Sequence, residues 1–206
     1  MFKYDKSSII KLGIKVKANK LIYTKNAKIA ICRKLLSEDT IFIDTETTGL
    51  DKNSEIVELT ILDVSGSVLF NELIKPQQPI TENASAIHGI TNKMVEGAPS
   101  FEYFAYDIQK IISGKNVVGH NVKYDKKRLV YEFSRLNDIK FPEAKSWYCT
   151  MLLNIHSQNQ KWPKLIELAE EHDICFEGNA HRSYADTEVC RKILHSIAQS
   201  TLGLEV

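Results

Sequence analysis

No apolar stretch in this 206-residue sequence approaches the ~20 residues that a transmembrane helix requires, because charge interrupts every hydrophobic run. The N-terminus likewise lacks the unbroken apolar core of a signal peptide, so a cytoplasmic location is expected. Cysteine is sparse. Cys32, Cys149, Cys175 and Cys190 are widely scattered and form no C-x-x-C pair, which argues against a zinc site and a disulfide framework and predicts reduced, mostly buried thiols. No internal repeat and no Gly/Ser-rich or Pro-rich linker divides the chain. One domain of ordinary size therefore accounts for the length, large enough to bury a core without disulfides or a structural metal. The composition, 43% hydrophobic and 26% charged, is that of a globular protein.

The net charge of +1 hides a strong asymmetry. Residues 1–36 carry ten Lys or Arg against the single Asp5, a net of +9, and the remaining 170 residues therefore sum to −8. A basic, partly helical N-terminal extension over residues 1–36 is thus expected ahead of an acidic body over residues 37–206. The extension suits phosphate and the body suits cations. A solvated basic arm with no partner is the alternative.

The hydrophobic pattern predicts a helix over residues 26–36, where Ile29, Ile31 and Leu35 fall among lysines. Residues 40–45 read as a buried strand. Residues 56–64 and 68–74 read as two more, joined by a tight turn at Ser65-Gly66. A helix over residues 101–112 ends at Ser113-Gly114, a short strand covers residues 117–119, and a helix runs from Lys123 to about Leu136. Residues 147–156, 163–172 and 184–198 also read as helices. Strands first, then helices alternating with short strands, predict an α/β domain with a mixed sheet flanked by helices.

Three clusters carry chemistry. In Asp44-Thr45-Glu46-Thr47-Thr48-Gly49-Leu50 two carboxylates stand at the end of an apolar strand and, by alternation, on one face. Such a pair repels itself, burial makes ionising both costlier, and a hard divalent cation such as Mg²⁺ or Mn²⁺ relieves the conflict. In His120-Asn121-Val122-Lys123-Tyr124-Asp125 a strand gives way to a helix whose first turn holds Asp125, a placement that the helix dipole alone could explain. In His181-Arg182-Ser183-Tyr184-Ala185-Asp186 a histidine in a polar loop precedes an acid by five residues. Loop placement favours function over core packing.

Together these clusters strongly resemble the DnaQ-like exonucleases of the DEDDh type, whose active site is marked by D-x-E, H-N-x-x-F-D and H-x-x-x-x-D. Tyr124 stands where Phe is usual. Ile87-His88-Gly89-Ile90-Thr91 resembles a further family segment, and the likeness spans about residues 38–198. It implies a ribonuclease H-like, mixed five-stranded sheet and a 3′–5′ exonuclease of the polymerase III epsilon-like branch. It also implies two ions, Mg²⁺ or Mn²⁺, with Asp44 bridging both. Glu46 and Asp186 would complete the ion that holds the attacking water, Asp125 would support the other, and His181 would be the general base. By the same resemblance Thr47 and Leu50 hold the 3′ end, with Leu50 against the terminal base, and His88 contacts the terminal nucleotide. Asn121 either steadies the strand or satisfies a turn. Trp147 and Trp162 either stack a base or, more in keeping with their setting, fill the core.

The expected substrate is the 3′ end of single-stranded nucleic acid, with DNA favoured over RNA because the D-T-E-T-T-G-L motif is closer to the proofreading branch than to the oligoribonucleases. Trimming of RNA is the nearest alternative. An accessory subunit bound to a DNA polymerase or sliding clamp is another, since residues 199–204 resemble clamp-docking peptides.

Overall fold

The computed structural model describes residues 14–17, 20–155, 161–177 and 181–202. Residues 1–13 and 18–19 of the basic extension, His156 at the end of one expected helix, residues 178–180 ahead of His181, and Gly203 and Leu204 of the clamp-like segment lie outside the described residues.

Strand β1 (Ile14–Lys17) pairs antiparallel with β2 (Lys20–Tyr23), a hairpin that the helical reading of the extension does not contain. Helix α1 (Lys25–Ser37) follows, its first turn capped by the Thr24 hydroxyl, which accepts from the Ala27 amide at 3.2 Å. Then come β3 (Thr40–Thr47), β4 (Ile56–Asp63), β5 (Val68–Leu73), α2 (Glu82–His88), α3 (Asn92–Val95), α4 (Phe101–Ile112), β6 (Asn116–Gly119), α5 (Lys123–Ser134), β7 (Ser146–Cys149), α6 (Thr150–Leu153), α7 (Leu165–Glu171) and α8 (Ser183–Gln199). The main sheet is five-stranded in the order β5-β4-β3-β6-β7. Its first three strands are antiparallel, and β6 and β7 run parallel to β3, so the expected mixed α/β sheet is present.

Residues 147–149, expected to be helical, form the β7 edge strand instead. An apolar run this short carries no decisive period, and pairing with β6 settles it. Trp147 and Cys149 point inward, and Trp147 stacks on Phe141 at 6.3 Å, so it fills the core, whereas Trp162, expected to do the same, is half exposed. Helices α2 and α3 are absent from the sequence reading although each begins with a threonine cap, Thr81 and Thr91. They are too short for their period to show.

Strand alternation sorts the two faces of the sheet. Ile41 and Ile43 join Leu59, Ile61 and Val117 under Ala105, Ile108 and Ile112 of α4 and Leu129 and Phe133 of α5. Phe42, Leu62 and Val118 face the other way, against Ile29, Cys32 and Leu35 of α1, Leu168 of α7, and Val189, Ile193 and Leu194 of α8. Asp44 and Glu46 share the parity of Phe42, which aims them at α8. Thr45 and Thr47 share the parity of Ile43, which aims them at α5.

The strands β3 and β6 meet closely behind this site. A Cβ on Gly119 would lie 2.9 Å from the Ile43 carbonyl oxygen and 3.0 Å from Val122 Cγ2. Gly119→Ala should therefore destabilise the fold by about 1–3 kcal/mol, read as a lower urea midpoint. An unchanged midpoint would show that the two strands can part without cost.

Candidate active site

Four acids converge at the C-terminal end of β3. Asp44 and Glu46 come from the strand itself and Asp186 from the first turn of α8. One carboxylate oxygen of each lies within 4.8 Å of the others, and they are the group of this kind found among the described residues. Asp125, in the first turn of α5, approaches from the opposite face and is buried. Thr45, pointing at α5, donates to Asp125 Oδ1 at 2.7 Å.

The electrostatics follow from that crowding. Burial, then the charges of Asp125, Asp186, Glu46 and Glu58, hold the Asp44 carboxyl well above the usual carboxylate range. Burial and then Asp186 push Glu46 up to about 9. Burial raises Asp125 to about 7 despite the Thr45 hydrogen bond, and burial raises Asp186 as well. Hard oxygen donors whose charges cannot coexist unaided fit a divalent cation.

Beside the acids, the loop after β3 is fastened from three sides. Thr47 Oγ1 and Tyr124 Oη lie 2.8 Å apart, and both reach the Gly49 carbonyl oxygen, at 2.8 and 3.0 Å. His88 is buried beneath Thr47. The Ile90 amide donates to its Nδ1 at 3.0 Å, so the neutral ring carries its proton on Nε2, which donates to the Thr47 carbonyl oxygen at 3.1 Å. Both ring nitrogens of His88 are thus spent on the protein. Arg128 of α5 donates to the carbonyl oxygens of Asp51 and Ser54 at 2.7 and 3.0 Å. On this fastened loop Leu50 stands 86% exposed, an apolar side chain presented to solvent at the rim of the acidic cluster.

Asn121 and His181 both adopt left-handed backbone conformations, with φ of 56° and 63°. Asn121 tolerates this readily; its carbonyl oxygen accepts from the Tyr124 amide at 2.8 Å and its side chain is exposed. His181 is exposed too, and its amide donates to Asp186 Oδ1 at 3.3 Å.

Four contributors went unread in the sequence: the Tyr124 hydroxyl, Thr45, Arg128 and the Glu58–Arg182 ion pair. For Glu58 a signal existed, because one acid inside the apolar run Ile56-Val57-Glu58-Leu59-Thr60-Ile61 must be paired if buried.

With this geometry in hand, comparison with known proteins is direct. The exonuclease family model (RNase_T) matches residues 41–194. An uncharacterised exonuclease of Escherichia phage 186 is 35% identical over 180 residues, covering 81% of this chain and 92% of that protein. The DNA polymerase III epsilon subunit of Rickettsia prowazekii is 34% identical over 121 residues, 55% of this chain, and the match spans about half (53%) of the subunit's length. Among solved structures, Exonuclease X in complex with 5′ overhanging duplex DNA superposes with a TM-score of 0.56 at 26% identity, covering 79% of this chain and 94% of that one. E. coli Exonuclease I with a dT13 oligonucleotide superposes at 0.64 with 18% identity over 78% of this chain and 41% of that one, a likeness of fold. Matched over most of its length, and with its acidic motifs gathered at one strand end, the chain belongs to the exonuclease family and is a DnaQ-like 3′–5′ exonuclease.

Proposed function

We propose that this exonuclease acts on the 3′ end of single-stranded DNA with two Mg²⁺ or Mn²⁺ ions, releasing nucleoside 5′-monophosphates one at a time. The observation that carries the reading is the convergence of Asp44, Glu46 and Asp186 oxygens within 4.8 Å of one another. Asp44, Glu46 and Asp186 would hold one ion, and Asp125 with Asp44 the other. When bound, the two ions would stabilise the attacking and leaving oxygens of an in-line displacement at phosphorus.

The remaining steps belong to the protein. His181, exposed at the rim, takes a proton from the attacking water. That water forms the new bond to phosphorus as the bond to the 3′ oxygen of the preceding nucleotide breaks, so the shortened strand ends in a fresh 3′ hydroxyl. Leu50 packs against the terminal base, while Thr47 and Asn121 hold the strand. His88, committed to the Thr47 carbonyl and the Ile90 amide, serves the terminal nucleotide by fixing Thr47. DNA is favoured by the D-T-E-T-T-G-L motif and by the likeness to Exonuclease X, solved with duplex DNA. The likeness to a DNA polymerase III epsilon subunit supports a DNA polymerase as a partner, the alternative to action alone.

Digestion of a 5′-labelled single-stranded DNA and its RNA counterpart should give a ladder shrinking from the 3′ end, faster on DNA; a faster RNA ladder would transfer the reading to RNA trimming. Asp44→Asn should abolish hydrolysis while raising the metal-free melting temperature, because it removes one of the repelling charges. The stabilisation by Mn²⁺ seen in the wild type should disappear with it. A variant that melts lower without metal and still gains from Mn²⁺ would contradict the proposed ligand role. Tyr124→Phe removes one hydroxyl from the loop under Leu50. At ~1 kcal/mol for that hydrogen bond, KM for a DNA end should rise about fivefold with kcat little altered. A fall in kcat at constant KM would place Tyr124 in the chemistry instead.

A further inference from the structure

A fifth carboxylate lies beside the site, and the ligand set above does not use it. Glu58 on β4 stands directly across from Glu46 on β3, on the face turned towards α8, and it is buried. Cross-strand neighbours in an antiparallel pair have Cβ atoms only about 5 Å apart. Position alone would therefore make Glu58 a candidate metal ligand.

Its hydrogen bonds exclude that role. Arg182 Nε donates to both oxygens, at 3.0 and 3.1 Å, Arg182 Nη2 donates to Oε1 as well, and the Ser183 amide donates to Oε2 at 2.9 Å. Three N–H donors, the single Nε–H shared between the two oxygens, thus engage both oxygens of the Glu58 carboxylate. Burial would raise the Glu58 carboxyl, yet the hydrogen bonds from Arg182 and Ser183 hold it below the ordinary range, the reverse of its neighbour Glu46. One acid of the cross-strand pair is kept charged by a guanidinium, and the other is left for a cation.

The residues that Glu58 grips are the two that follow His181. Helix α8 has no side-chain cap of its own, since its N-cap residue is Arg182. The Glu58 carboxylate does that work from the neighbouring strand by accepting the Ser183 amide. Thr60, two residues along the same face of β4, adds a hydroxyl contact to Ser183 Oγ at 2.7 Å. The residue before this anchor, His181, holds a left-handed backbone with φ of 63°. That conformation is uncommon outside glycine and persists where the surroundings enforce it.

We infer that Glu58 is a positioning residue: through Arg182 and the Ser183 amide it fixes the start of α8 so that the His181 imidazole is held over the acidic cluster. Its kinetic consequence rests on the general-base role proposed for His181; its structural consequence does not. The sheet that carries Asp44 and Glu46 would thereby also register the base against them, using a neighbour of Glu46 as the peg.

The test uses the full chain with Glu58→Gln, which keeps the shape and loses the charge, and Arg182→Lys, which keeps a cation and leaves the Ser183 cap in place if the first variant unfolds. Supporting partners of an active-site group are worth about 10- to 100-fold in activity. Under saturating Mn²⁺, kcat on single-stranded DNA should fall by about that factor, with KM and the Mn²⁺ affinity from calorimetry held within about twofold. In a His181→Ala background the same substitution should cost little. A Mn²⁺ affinity that drops in step with kcat would make Glu58 a ligand and overturn the inference, as would an undiminished loss in the His181→Ala background. Histidine-selective ¹³C NMR reads the position of the ring without reference to turnover. The His181 cross-peak should move in Glu58→Gln, and an unmoved peak would overturn the inference. Full activity of His181→Ala alone would defeat the general-base reading and leave the NMR result to decide the peg.

Discussion

Repulsion among Asp44, Glu46, Asp125 and Asp186 is the constraint around which the rest of this molecule is arranged. Burial raises the carboxyls of all four, and the charges of the neighbouring acids raise Asp44 and Glu46 further. The Arg182 guanidinium, which acts on Glu46, is committed to Glu58. Folding therefore has to hold the cluster together from outside it. Two apolar layers do so, one binding α4 and α5 to the sheet and the other binding α1, α7 and α8 to its opposite face. Crowding of this kind lowers the stability of the fold for the sake of a site that fits a divalent cation, a common arrangement where function and stability compete.

The same sheet also divides the labour between its faces. Odd positions of β3 send Thr45 to Asp125 and Thr47 to Tyr124, while even positions send Asp44 and Glu46 towards α8. The loop that follows is held by buried polar groups, His88 beneath Thr47 and Arg128 on the Asp51 and Ser54 carbonyls, so Leu50 is displayed on a rigid support. Preorganisation of this kind matters because a displaced terminal nucleotide forfeits much of the rate that alignment provides. The loop, the acids and the start of α8 are thus registered against one another through β3 and β4.

Much of this was legible in the sequence because the informative features are local. Alternation around Asp44 and Glu46, the Ser65-Gly66 turn and the long period of residues 101–112 each announce an element, and the three acid-bearing motifs resemble a family whose fold was then found. What escaped is of two kinds. Short elements such as β7, α2 and α3 have too few residues for a period, and tertiary pairing decides them. Partnerships across long separations, such as Glu58 with Arg182 or Thr45 with Asp125, leave no spacing to read. The hairpin of β1 and β2 falls in a segment whose charge dominated its pattern, although Ile14-Lys15-Val16-Lys17 does alternate.

That the crowded carboxylates exist to hold divalent cations can be tested by locating the ions themselves. Crystals grown with Mn²⁺ and a nucleoside 5′-monophosphate, measured at a wavelength where manganese scatters anomalously, should show one peak among the oxygens of Asp44, Glu46 and Asp186 and a second between Asp44 and Asp125. Anomalous density elsewhere on the molecule, with none at this cluster while the nucleotide is bound, would contradict the account.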